Sequence, residues 1–462
     1  MAIEPKEVGM ATQSGAAAAP MPRSGWLARW EPENETFWEQ TGKRLAWRTL
    51  AITTASLIMA FITWFVVSAL VVRLPAVGFQ LTTGQLFWLA AMPGLAGGSL
   101  RLVHMFLTPI WGTRAVVGWS TLSLLVPLVG WFFAVQNPAT PFWMLMLLAF
   151  LAGLGGGNFS SFMPSTSLFF PRRLQGTALA IQAGVGNFGV SVVQFITPWI
   201  IGFALFGTLG GEPLTFTRPT GETSPIWLQN ATAVWIPFVA VCGVLALVML
   251  RSVPVRANFR EQLDIFGSPH TWTMTSLYIM TFGGFSGLSA TFPLLIRTIF
   301  GGLPGAPDPL AWAFYGPLVG SVIRVLAGPV TDKYGGAIVT HIAGIGMTAC
   351  AIGVTFFTGR DMANFPLFVT LMLGLFLFAG IGNASTFKQM PMLFPPRQGG
   401  GVIGFTAAIA AYGPLLFGLL FGWSFGATQS PNAVFYGLAV FFALNVALNW
   451  WLYARRNAPN PC

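Results

Sequence analysis

The chain has 462 residues, 54% of them hydrophobic and only 8% charged, with a mean hydropathy of +0.69. A soluble domain carries roughly 25% charged residues, so this composition excludes an ordinary aqueous surface. The length allows about a dozen membrane spans of ~20 residues each. A net charge of +10 does not imply a nucleic-acid partner, because the basic residues are sorted along the chain in a pattern that membrane topology explains.

In chain order, the first ~22 residues are rich in Ala, Pro, Gly and Ser and have no apolar core. They read as part of a cytoplasmic tail and pre-helix segment over 1–48, not as a cleavable signal. Apolar runs then predict spans over 49–72, 85–108, 114–134, 141–169, 176–207 and 231–251. A charged link over 252–270 precedes a second set over 271–299, 309–330, 336–358, 363–393, 400–424 and 432–454, with a short tail at 455–462. With the N-terminus inside, sixteen of the 23 Lys and Arg fall in cytoplasmic segments, and four (Arg73, Arg218, Arg297, Arg360) fall on the other face. That asymmetry predicts a multi-pass protein of a bacterial inner membrane with both termini cytoplasmic. Cys242, Cys350 and Cys462 lack metal-ligand spacing and read as packing residues. Three histidines without spacing, and no nucleophile with its base, leave no expected metal, cofactor or enzyme activity.

The chain repeats itself at an offset near 224. Arg101 is followed eleven positions later by Gly112, and Arg324 eleven positions later by Gly335. GLGGGNFSSF, from Gly153, corresponds to GIGNASTF, from Gly380. FFPRRLQG, from Phe169, corresponds to LFPPRQGG, from Leu393, and Phe188-Gly189 to Tyr412-Gly413. The predicted fold is therefore an all-α membrane protein of twelve transmembrane helices, two pseudo-symmetric six-helix bundles in the major facilitator arrangement. In such parallel repeats the cargo site lies between the halves near the midplane. The stretch GPVTDKYGG (Gly328 to Gly336) fits a loop between spans 8 and 9, where Asp332 can accept bonds from a helix N-terminus.

Charge inside the spans is purely positive. All thirteen acidic residues fall in the tail or in loops on these boundaries, so no carboxylate is available to take up a proton. Arg101 and Arg324 occupy equivalent points of spans 2 and 8, seven to eight residues from the cytoplasmic end. An arginine near a span centre costs about 2.5–3.5 kcal/mol on insertion scales. Either each arginine snorkels to the rim, or a bound anion neutralises both. The guanidinium fork suits an oxyanion such as carboxylate, phosphate or nitrate. Lys388 is read as a third buried cation, in span 10, either snorkelling or serving the site. His104 lies one turn from Arg101 on the same face, as a proton relay or a packing residue.

Amides in hydrocarbon need partners, and Asn158, Asn187 and Asn383 all fall in glycine-rich stretches that include Gly157 and Gly186. These positions read as pore-lining, gating or close-packing. Tyr278 and Phe282, four apart in span 7, share one face, as core or as site wall.

Taken together, WEPENETFW (Trp30 to Trp38), the two glycine stretches, AGVGNFGVS from Ala183 and FYGPLVGSVIR ending at Arg324 resemble the nitrate/nitrite porters, the NarK-like proteins of the major facilitator superfamily. The resemblance covers nearly the whole chain after the tail. It implies that Arg101 and Arg324 hold the substrate anion, that Phe159, Tyr278 and Phe282 wall the site, and that Asn187 contributes to it. The glycine signatures would be flexible or sliding points. Lys388 and Gln182 depart from some relatives. The expected function is exchange of nitrate for nitrite in a lipid bilayer by a protein working as a monomer, with proton-coupled nitrate symport or nitrite export as the rival.

Overall fold

A computed structural model describes residues 25–218, 221–254 and 263–462. The expected tail up to residue 24, and 255–262 of the expected link with Arg256, Arg260 and Glu261, lie outside the described residues. Among the described residues, eleven helices are long and apolar enough to cross a membrane. One of them, Thr83–Ala134, is 52 residues long and is two spans joined at Gly112, whose φ of 77° no helix contains. Twelve spans result. Gly335 makes the equivalent break between Pro309–Tyr334 and Gly336–Phe357 with φ 88°. A left-handed backbone is open to glycine at no steric cost, so the repeated glycine eleven residues after each arginine sets where spans 2 and 8 end.

The remaining spans begin where the local chemistry allows. Thr82 and Gln85 form a reciprocal capping box ahead of span 2, and Asp308 accepts the Leu310 N–H ahead of span 8, each satisfying otherwise orphaned donors. Most boundaries fall close to expectation. Spans 1 and 5 do not: span 1 begins at Glu35, inside the expected pre-helix segment, rather than at 49, and the helix of span 5 is Arg172–Ile200 rather than 176–207. Beyond it lies an unexpected hairpin, β1 (Leu214–Thr217) paired antiparallel with β2 (Thr223–Ile226). Four-residue strands of mixed polarity leave no clear period-2 signal. Span 8 runs on to Tyr334, so Asp332 sits in the last helical turn and not in a loop. Its carboxylate is exposed and bonds Lys388 Nζ at 2.5 Å instead of capping a helix.

Residues near both chain ends lie at one face. Trp26 bridges to Ser252, and the Cys462 carbonyl accepts the Ala337 N–H of span 9 at 3.0 Å. We call this the terminal face, and the opposite, hairpin-bearing one the far face. Glycine governs how tightly the spans pack. Within the bundles, Gly153 of span 4 abuts Ala96 and Gly97 of span 2, and Gly380 of span 10 abuts Gly320 and Ile323 of span 8. Gly189 packs on span 1 and Gly413 on span 7, both against backbone. Between the bundles, Gly94 and Gly98 of span 2 meet Pro414 and Tyr412 of span 11, while Gly184 of span 5 meets Val325 of span 8.

A methyl on Gly155 would run into the Ala60 carbonyl, and backbone cannot rotate away. Gly176, in the same bundle, has nothing within 4 Å of that position. Gly155→Ala is therefore expected to lower the melting temperature of the detergent-purified protein by several degrees, since overpacking costs about 1–3 kcal/mol. Gly176→Ala, by contrast, leaves it unchanged or slightly raised, through helix propensity.

Candidate anion site

Arg101 is fully buried, and its environment contains no acid. Its Nε donates to the Gly156 carbonyl of span 4 at 2.8 Å, and its Nη1 donates to the Ala407 carbonyl of span 11 at 2.8 Å. The second bond crosses from one bundle to the other. Three rings surround the guanidinium: Phe159 at 4.6 Å, Phe282 at 5.1 Å and Trp64 at 5.3 Å. Ring faces carry partial negative charge, so each contact offsets some of the desolvation of the cation. Nη2 has no hydrogen-bond partner among the described residues.

From Arg101 the rings lead to Arg324. Phe159 stacks on Phe282 across the bundle interface, centroids 6.4 Å apart. Phe282 lies almost parallel to Tyr278 at 5.4 Å, and Tyr278 contacts Phe387 at 5.1 Å. Phe387 in turn underlies the Arg324 guanidinium at 5.2 Å. The Tyr278 hydroxyl lies near both guanidinium groups and within loose hydrogen-bonding reach of Arg324, but neither it nor Arg324 Nη1 makes a hydrogen bond of good geometry among the described residues. A π-helical turn, Ile279–Gly283, interrupts span 7 just after Tyr278 and sets how Tyr278 and Phe282 face the interface. Such turns recur at functional sites. Each arginine stands eleven residues from its terminal-face break, ~16 Å along the helix, deeper than the seven to eight residues the sequence suggested.

Asn187 and Asn383 are both fully buried, and both amide groups lack partners among the described residues. Asn187 stands one turn from Gly184, which abuts Val325 beside Arg324. Gly186 packs on Leu57 and Gly157 on Leu100 and His104, which makes both close-packing points of the first bundle. Asn158 donates to the Ser120 carbonyl of span 3, away from the second bundle. His104 Nδ1 is bonded to Ser161 Oγ at 2.9 Å. Lys388 is not buried: its side chain is 46% exposed and paired with Asp332, because it lies only a turn and a half from the end of span 10. Residues that sequence reasoning did not single out are Trp64, Phe387 and the Ala407 carbonyl. Phe387 closes the GIGNASTF stretch, where a phenylalanine carries no distinguishing signal, and a backbone acceptor carries none at all.

The bundles are tied together most heavily on the far side of this site. Arg73 of the first bundle pairs with Asp308 of the second at 2.5 Å, with Arg73 almost buried and backed by Phe216 of the hairpin. Gln194 of span 5 bonds both Ser68 and the Ser289 carbonyl of span 7, and Phe87 of span 2 packs on Phe421 and Phe425 of span 11. A water-sized void of about 10 Å³ lies beneath these ties, lined by Trp64, Ser68, Pro93 and Ala290.

Two six-helix bundles with a buried cationic site between them define a secondary transporter that works by alternating access. Residues 49–387 match the family model of the Major Facilitator Superfamily. The chain is 64% identical over 438 residues to a protein of Thermus thermophilus described as a probable nitrate/nitrite antiporter, NarK2, covering 95% of this chain and 98% of that protein. It is 37% identical over 456 residues to the nitrate/nitrite transporter NarU of Escherichia coli K12, covering 93% and 96%. A solved structure of a bacterial homologue of the human lysosomal transporter Spinster superposes with a TM-score of 0.62 at 14% identity, over 88% of this chain and 93% of that one, and shows the fold alone. The chain belongs to the NarK-like nitrate/nitrite porter family of the Major Facilitator Superfamily, and is a multi-pass transporter of a bacterial membrane.

Because Arg73 is nearly buried, removing Asp308 strands a charge, and the cost exceeds that of losing an exposed pair. Asp308→Ala is expected to raise the reactivity of a cysteine placed at Ser68 toward a membrane-impermeant maleimide added on the far side. The exchanged pair Arg73→Asp with Asp308→Arg restores protection.

Proposed function

We propose that the protein exchanges nitrate for nitrite across the bacterial inner membrane, with both termini cytoplasmic and the monomer as the working unit. Arg101 and Arg324 clamp one anion between the bundles. The observation that carries the reading is two buried guanidinium groups from opposite bundles, each with an N–H lacking a protein partner, flanking one tyrosine hydroxyl among the described residues. No Asp or Glu among the described residues is buried.

A planar oxyanion can accept two parallel N–H bonds from a guanidinium fork and still lie flat among rings. Tyr278 would donate its hydroxyl proton to the bound anion. Sulfate is tetrahedral and doubly charged, and matches neither the flat aromatic wall nor the exchange of one monovalent anion for another. Nitrate and nitrite carry equal charge, so their exchange moves no net charge and requires no proton. Rocking of the bundles about the bound anion alternates access. The far-face ties support a conformation closed on that side, with release or capture through the terminal face.

Purified protein in liposomes tests this directly through uptake of labelled nitrate. Uptake is expected to require nitrite inside and to ignore a pH gradient. Arg101→Lys and Arg324→Lys each keep the charge but lose the fork, and should reduce exchange by about tenfold to a hundredfold, the loss of a charge-assisted bond. Tyr278→Phe removes a neutral donor and should weaken apparent nitrate affinity by roughly threefold to tenfold. Uptake into nitrite-free vesicles driven by an inward proton gradient would replace exchange with symport.

A further inference from the structure

Between spans 9 and 12, on the outer wall of the second bundle and remote from the anion site, runs a shallow, open groove of about 540 Å³. His341 and Trp450, in tilted ring contact at 5.0 Å, close its terminal-face end, and Ile352 its deep end. Ala443 and Ala447 of span 12 form its floor, where the small side chains leave room between the helices. From His341 to Ile352 is eleven residues, ~16 Å along the helix. One leaflet of a ~30 Å hydrocarbon core measures ~15 Å. The groove is thus one acyl chain deep.

Its terminal-face mouth is basic and aromatic. Arg455 stacks on Trp451 at 4.0 Å and donates its Nε to the Trp451 carbonyl, holding the guanidinium at the end of span 12. Arg456 follows it in the chain and is exposed, and Lys333, also on the terminal face, is exposed at the end of span 8 with its ammonium over the Tyr334 ring at 5.1 Å. None of the three forms an ion pair among the described residues, and the neighbouring Asp332 is already held by Lys388. Tryptophan at headgroup depth and basic residues just beyond it are the features that hold anionic lipid at a membrane surface.

We propose that this groove is a specific site for an anionic phospholipid of the terminal-face leaflet, with one acyl chain along Ala443 and Ala447 and the phosphate on Arg455 and Arg456. The occupant is a lipid and not a second copy of this chain, because the groove combines single-chain depth with a cationic mouth, and the mouth would repel its own image.

The test uses the full chain in nanodiscs, with phosphatidylglycerol carrying a photoactivatable group on one acyl chain, and peptide mapping of the adducts. Adducts are expected over 341–352 and 443–450, competed by unlabelled phosphatidylglycerol and not by phosphatidylcholine. Arg455→Gln with Arg456→Gln, both outside the packed bundle, should cut capture by about tenfold, the order expected for losing two basic side chains at a charged surface. Ala447→Trp, which fills the groove, should abolish these adducts while nitrate exchange confirms the fold. Equal competition by phosphatidylcholine would make the groove ordinary lipid contact and overturn the proposal. So would adducts that persist in both variants, or an Ala447→Trp protein that changes from dimer to monomer.

Discussion

The structure depends on burying the Arg101 cation without a carboxylate. A guanidinium removed from water must be repaid with hydrogen bonds and opposite charge, and this site supplies the first from backbone and only a diffuse version of the second from three rings. Gly156 can offer its carbonyl because glycine lets span 4 lie against span 2. Ala407 can offer its own because glycines and Pro414 bring span 11 against span 2. The close packing of the helices and the solvation of the charge are therefore one requirement. A carboxylate partner would satisfy Arg101 better, but it would also compete with an anion for the same N–H groups.

This makes the interface between the bundles conditional. The Arg101–Ala407 bond and the Phe159–Phe282 stack both cross it, so the residues that line the proposed anion site are also part of what holds the bundles together. Further ties at Arg73–Asp308, Gln194–Ser289 and Phe87–Phe421 lie toward the far face, and Ser99 and Tyr412 share a hydrogen bond near the level of Arg101. A bundle interface held by a few polar contacts and glycine seams can exchange one set for another, and a large apolar interface could not do so at similar cost.

Much of this was legible in the sequence because the physics is strong and repetitive. Hydropathy read the spans, since every backbone group in a bilayer must be bonded internally. The duplication exposed Arg101 and Arg324 as a pair, and Gly112 and Gly335 did end their helices, because a positive φ favours glycine wherever it is met. What escaped involves partners with no residue signature: carbonyl acceptors at Gly156 and Ala407, the rotation of Tyr278 and Phe282 by a π turn, and Phe387 among many phenylalanines. Lys388 is not a buried cation and follows the snorkelling alternative, because depth along a helix is not burial. Its long side chain reaches Asp332 and water, while Arg101, deeper by several residues, has no such path.

Asn158 and Asn383 show the limit of reading function from a repeat. They are matched in sequence, yet Asn158 bonds span 3 while neither group of the Asn383 amide has a partner among the described residues. Span 4 is interrupted at Gly153, between Phe142–Ala152 and Leu154–Ser167, whereas span 10 is one continuous helix over Phe365–Leu393. A one-residue change in helical phase rotates a side chain by about 100°, enough to move it from the interface to the bundle interior. The duplicated halves thus conserve what tolerates such drift, namely helix ends and glycine contacts, and diverge where an amide must point. The two arginines nonetheless end against one row of rings, Phe282, Tyr278 and Phe387, because a long side chain with five donors tolerates a shift in phase.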